Sequence, residues 1–193
     1  MGIPLRGYFN KSSYIHRMRI SRFVFTSFIL FLSFNARAQQ WKNFSDSSIS
    51  FTAKYPPTWI NKIKEDKRVF FTSPSDGAGD SFYENVNVGV TQNDDYGTKI
   101  KIKDVVPAVL DNLKSAFEEF KLETERYFTW NKAASCEIIY SGFIKSDPDM
   151  KVRITQWFCF YKTRLYTVTF TALAGNNKHN ATANKIMSGI VFK

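Results

Sequence analysis

The sequence predicts an α+β fold: an αβα sandwich in which a central antiparallel sheet is flanked by helices. Three observations carry that expectation. Segments with the period of two dominate and are joined by loops of hairpin length. Two segments instead repeat apolar residues at three and four. The longest strand segments are apolar on both faces, so both faces need a covering layer.

The chain opens on a segment to be set aside before the rest is read. From Met18, itself an alternative start, basic Arg19 and Arg22 precede an apolar run from Phe23 to Phe34 and the small-residue pattern Ala36-Arg37-Ala38. This is the three-part pattern of a secretory signal, with cleavage expected between Ala38 and Gln39. The apolar run is well short of the roughly 20 residues a spanning helix needs. No cysteine lies near the cleavage point, so neither a transmembrane nor a lipid anchor is expected in the mature chain, and an extracytoplasmic location, periplasmic or secreted, follows.

Removing residues 1–38 also changes the charge argument. They hold six of the 27 basic residues and no acid, which leaves 21 basic against 17 acidic residues, a net charge of +4. That is an ordinary solvated surface rather than a footprint for phosphates, and nucleic acid is excluded as a partner class. About 155 residues remain, enough for one domain (39–193) that buries about 70% of its unfolded surface.

In order, Ile49 to Tyr55 alternates as a strand with one buried face and is ended by Pro56-Pro57, which cannot donate to a ladder. Trp59 follows as a core cap, with short strands at Trp59 to Lys64 and Arg68 to Thr72. Ser75 to Ser81 is a turn-rich loop, Glu84 to Thr91 alternates through Val86, Val88 and Val90, and Gln92 to Gly97 is a second polar loop. A helix is expected from an N-cap at Asp104 to Phe120, with Pro107 in its first turn. Leu122 to Trp130 reads as strand and Asn131-Lys132 as a tight turn. A second helix, about Asn177 to Ser188, turns Ala183, Ile186 and Met187 inward, with Gly189 as its stop. Ile190 to Phe192 packs back onto the core.

Ala133 to Leu173 is the centre: strands Cys136 to Ile144, Lys151 to Tyr161 and Arg164 to Leu173. If Lys145 pairs with Met150 across Ser146-Asp147-Pro148-Asp149, counting back sets Ile138 opposite Trp157 and Cys136 opposite Cys159. The cysteines are then cross-strand neighbours. Export favours a disulfide between them; two buried thiols or a redox pair are the alternatives.

The run Phe51-Thr-Ala-Lys-Tyr55-Pro56-Pro-Thr-Trp59, then Phe71-Thr-Ser73-Pro74, then Asp80-Ser-Phe82-Tyr-Glu84-Asn85-Val86-Asn87-Val88, resembles the PsbP-like family, best known for the extrinsic proteins of photosystem II. The resemblance covers nearly all of residues 41–193 and implies the αβα sandwich. Its motifs are strand and turn punctuation without chemistry, and members of the fold do unlike jobs, so no partner or metal residues are carried over.

Chemistry-bearing residues are few. His179 is the only histidine after the leader and no Gly-x-Ser-x-Gly elbow exists for it to serve, so it reads as a solvated first-turn residue. Asp76, Asp80, Asp94 and Asp95 could collect around calcium, but their spacing is not that of an EF-hand, and the turn preference of Asp makes solvated turn carboxylates the favoured reading. With Tyr96 they mark two candidate interaction loops. Glu118 and Glu119, or Glu123 and Glu125, are candidate carboxylate pairs on exposed positions. Lys99, Lys101 and Lys103, together with Lys62, Lys64, Lys67 and Arg68, form a candidate basic patch for an anionic partner or membrane surface. No cofactor is expected. These readings converge on an exported, non-catalytic domain with a protein partner and an accessory or assembly role in the envelope. A carrier of a small apolar ligand, suggested by the many aromatic residues, is the alternative, and an enzyme comes third.

Overall fold

The computed structural model describes residues 40–193 apart from 65 and 67. The leader and its cleavage site at Ala38 and Gln39 lie outside these residues. Ten strands and two helices follow in order: β1 (Lys42–Asp46), β2 (Phe51–Tyr55), β3 (Ile60–Ile63), β4 (Val69–Thr72), β5 (Asn85–Gln92), α1 (Ile102–Ala116), β6 (Phe117–Trp130), β7 (Ala133–Ile144), β8 (Asp147–Tyr161), β9 (Arg164–Leu173), α2 (Asn180–Ser188) and β10 (Val191–Phe192). A seven-stranded antiparallel sheet has the order β3-β4-β5-β9-β8-β7-β6, and a three-stranded sheet the order β1-β2-β10. No helix among the described residues is long and apolar enough to cross a membrane.

Two apolar cores lie on the two faces of the large sheet. In one, Val86, Val88, Tyr166, Val168, Phe170 and Trp157 pack with Phe44, Phe51 and Tyr55 of the small sheet and with Ala183, Ile186 and Met187 of α2. In the other, Ile138, Tyr140, Ile154, Phe158 and Phe160 pack with Ile102 and Val106 of α1. The expected cover of helices on both faces therefore takes a different form on the α2 side, where a second sheet shares the layer. Strand β1, unread in the sequence, belongs to that layer and pairs with β2 along its whole length.

Helix α1 begins and ends earlier than its periodicity suggests. Lys101 is the N-cap, and the Asp104 carboxylate accepts from the Lys101 backbone N–H at 2.8 Å, so Asp104 caps from inside the first turn. Pro107 is then the sixth helical residue rather than a first-turn one. Lys99 to Lys103 is the helix entrance. Phe117 to Phe120 belongs to β6, because pairing with β7 satisfies backbone groups that a helix end would leave open. Phe117 and Phe120 still pack on Tyr140, each at 5.6 Å between ring centroids, so the apolar pattern alone could not separate helix from strand. Asn131 and Lys132 both have positive φ, 49° and 65°, as a two-residue hairpin turn of primed type requires. Gly189 does end α2, but with φ −84°; its need for glycine is space, since a Cβ would sit 3.0 Å from the Lys185 carbonyl.

The β7–β8 register corrects the cysteine pairing. Ile144 stands opposite Asp147 across a shorter turn, and an irregularity before the Phe143–Lys151 pair takes up Pro148, Asp149 and Met150. Pro148 has no N–H to give a ladder, which favours a bulge there. Ser135 is thereby opposite Cys159 and Cys136 opposite Phe158. A slip of one residue turns a side chain to the other face. Cys136 consequently lies in the α1 core and Cys159 in the α2 core, both as free buried thiols. The same slip puts Ile138 and Tyr140 with Ile154, Phe158 and Phe160 rather than with Trp157.

Candidate functional site

The densest gathering of polar chemistry lies where the β4–β5 connection, residues 73–84, meets the approach to α2. The connection is shaped by its own bonds. Asp80 accepts from the backbone N–H groups of Asp76 (2.7 Å) and Phe82 (3.2 Å), while Gly77 and Gly79 take φ of 141° and 88°. This places the Asp76 carboxylate against residues 176–179, about a hundred positions away. Lys178 Nζ meets Asp76 Oδ1 at 2.7 Å, His179 Nε2 meets the same oxygen at 2.9 Å, and Asn176 Nδ2 donates to Oδ2 at 3.3 Å. These donors push the Asp76 carboxyl down to about 2, the Lys178 hydrogen bond first and that of His179 second.

Glu84 lies behind Asp76 and is 1% exposed. Asn176 Nδ2 donates to its Oε1 at 2.6 Å and Ser73 Oγ to its Oε2 at 3.3 Å, while the Ser73 backbone N–H donates to the Glu84 carbonyl at 2.8 Å. A buried carboxylate is tolerable only with such donors. Contrary to the solvated reading, His179 is buried and meets the Trp59 ring edge-on at 5.7 Å. The Ser73 hydroxyl bonds Glu84, so Ser73, His179 and Asp76 do not form the serine–histidine–acid relay of a hydrolase.

Asp76, Glu84 and His179 could hold a metal, since one ligand atom from each lies within 4.8 Å of the others. The Lys178 ammonium, however, already neutralises the Asp76 carboxylate through its Oδ1. As built, the cluster ties loop to helix.

The remaining sequence candidates are dispersed. Asp94 and Asp95 follow the far end of β5 (Asn85–Gln92), a strand about 25 Å long, whereas Asp76 and Asp80 precede its start, so the four aspartates do not converge on calcium. Asp95 accepts backbone bonds from Lys99 and Ile100 and pairs with Lys99 Nζ at 2.9 Å, and Tyr96 stacks on Phe160 at 4.9 Å. Both are turn and core residues. Three carboxylates of β6 are engaged separately, Glu119 with Lys151, Glu123 with Arg153 and Glu125 with the Tyr127 hydroxyl. Sequence reasoning missed Glu84 and Asn176. A lone acid at the head of an alternating valine strand was the available signal for Glu84.

No protein-family model matches the chain, and no curated protein matches its sequence. Solved structures do match in shape. Cyanobacterial PsbP (CyanoP) of Synechocystis sp. PCC 6803 superposes with a TM-score of 0.55 at 10% identity, covering 82% of this chain and 96% of that one. The Ran-binding protein Mog1p of Saccharomyces cerevisiae gives 0.54 at 9% identity, over 80% and 96%. LpqN of Mycobacterium tuberculosis, involved in cell envelope biogenesis, gives 0.56 at 10% identity, over 80% and 91%. At such identities the likeness is one of fold, and the fold of this chain is PsbP-like.

Proposed function

We propose that this chain is a non-catalytic domain exported to the cell envelope, where it binds a protein partner in an accessory or assembly role. The observation that carries the reading is the engagement of the cluster itself. All four carboxylate oxygens of Asp76 and Glu84 are bonded by groups of the same chain, and together they brace a loop that presents Tyr83, 48% exposed, at the surface. A braced loop with an exposed aromatic suits recognition, because little ordering entropy is lost on binding. The leader pattern supports export. The shared fold of a Ran-binding protein and of an envelope biogenesis protein supports a partner-binding role.

Affinity capture from an envelope extract tests it, with Tyr83→Ser beside the native chain. A partner recovered reproducibly by the native chain and lost with Tyr83→Ser is expected; no reproducible partner would count against the proposal. The carrier alternative draws less support. The aromatics that suggested it pack on one another, as in Trp130, Trp157, Tyr161, Tyr166 and Phe192. Two recesses among the described residues, of about 580 and 420 Å³, are open at the surface and mixed in lining, Ile63 among Lys62, Lys64 and Asp66 in one and Trp41 beside Lys54 and Lys185 in the other, and neither is an enclosed apolar chamber.

A further inference from the structure

The basic patch suggested by the sequence separates in the fold. Lys99, Lys101 and Lys103 go to the entrance of α1, whereas Lys62, Lys64 and Arg68 stay together on the β3–β4 hairpin at one edge of the large sheet. All four residues of β3 are exposed, and two are isoleucines, Ile60 at 69% and Ile63 at 47%. Register places Lys62 across from Phe70 and Ile63 across from the buried Val69, so Ile60 and Lys62 share one face and Ile63 rims the other. Lys64 Nζ lies 4.5 Å from the Phe70 ring centroid, and the Arg68 guanidinium lies 5.9 Å from it while pairing with Asp66. Cations here rest on an apolar and aromatic base at the edge of the large sheet.

We infer that this hairpin docks on an anionic lipid surface, with Ile60 and Ile63 entering the boundary between headgroups and acyl chains and Lys62, Lys64 and Arg68 meeting the lipid phosphates. Charge complementarity selects an anionic occupant. The placement of the isoleucines selects a lipid over an acidic polypeptide. A peptide seated on one face leaves the isoleucine of the other face in water, whereas a hairpin entering edge-on buries both. Long basic side chains suit such depth, since their stems lie along apolar surface while their heads stay with phosphate. Among the described residues the outer edge of β3 has no neighbouring strand, and its open backbone groups hold the hairpin at the interface and out of the hydrocarbon.

The test uses the chain without its leader, residues 39–193, because both cores lie within residues 40–193 and the apolar leader would itself bind lipid. Flotation is compared on vesicles of phosphatidylethanolamine with phosphatidylglycerol and on vesicles of phosphatidylcholine alone. Binding to the first only is expected. It should fall about tenfold or more in Lys62→Glu/Lys64→Glu, by the attraction of each basic residue to an anionic surface, and also fall in Ile60→Ser/Ile63→Ser, with unchanged circular dichroism in both. No binding to phosphatidylglycerol vesicles overturns the inference, as does binding undiminished by the isoleucine changes. Poly-L-glutamate probes the other occupant. If it binds as tightly as the vesicles, is lost with the lysine changes and is kept with the isoleucine changes, the surface serves an acidic polypeptide instead. A protein partner captured through Tyr83 would leave this result untouched, so the two readings fail separately.

Discussion

Asp76 carries the pH response of the site. Its folded carboxyl lies at about 2 against an ordinary 3.8, so it stabilises the fold above the ordinary value, and that contribution is lost as pH falls through about 2. Unfolding followed between about pH 4 and 2 should therefore show a decline that Asp76→Asn flattens. The thiols respond at the other extreme. Burial, with Glu125 adding to it, pushes Cys136 up to about 11, and burial also pushes Cys159 up. Both should be slow toward a thiol reagent at neutral pH in the native chain. Two thiols should titrate in the denatured chain without reductant. A count of zero would show a disulfide and contradict the β7–β8 register.

At the scale of elements, the β6–β7 pair is held by the absence of a side chain. A Cβ on Gly142 would lie 2.8 Å from the Glu118 carbonyl and 3.2 Å from the Phe117 side chain, at the irregular start of β6 where Glu119 has φ 50°. Gly142→Ala should cost about 1–3 kcal/mol through forced displacement of β6, as overpacking does, measured by urea unfolding. Strands β7, β8 and β9 and the inward residues of α2 were legible in the sequence because their periodicity is long and their turns carry strong signals. The start of α1, the end of α1 and the β7–β8 bulge were not, because each is settled by competition for backbone partners rather than by side-chain pattern.

At the scale of the molecule, one sheet serves two cores that do not touch across it except through its strands. Val106 is buried on the α1 side and Ile186 on the α2 side. Layer spacing of about 10 Å on each face keeps the two side chains well apart, and distant substitutions add. Val106→Ala should cost about 1–3 kcal/mol and Ile186→Ala about 2–5 kcal/mol. The double variant should equal their sum within about 0.5 kcal/mol, in a single transition. Departure from additivity would mean that the cores are coupled through the sheet.

The sequence by itself determined the strand-rich class, the two helices, the inward faces of β5 and α2, and the apolar demand for cover on both sides of the central strands. Those features rest on local periodicity and turn chemistry, which act within a few residues. Only the tertiary structure decided which cysteine faces which core, since one bulge at Pro148 reverses a count over many residues. It alone drew the solvated-looking His179 beneath Asp76, and it alone gathered Lys62, Lys64 and Arg68 with two exposed isoleucines while sending Lys99 to Lys103 elsewhere. These juxtapositions depend on chain paths closed over many residues, or on which neighbour wins a backbone group, and neither is written in any short stretch of sequence.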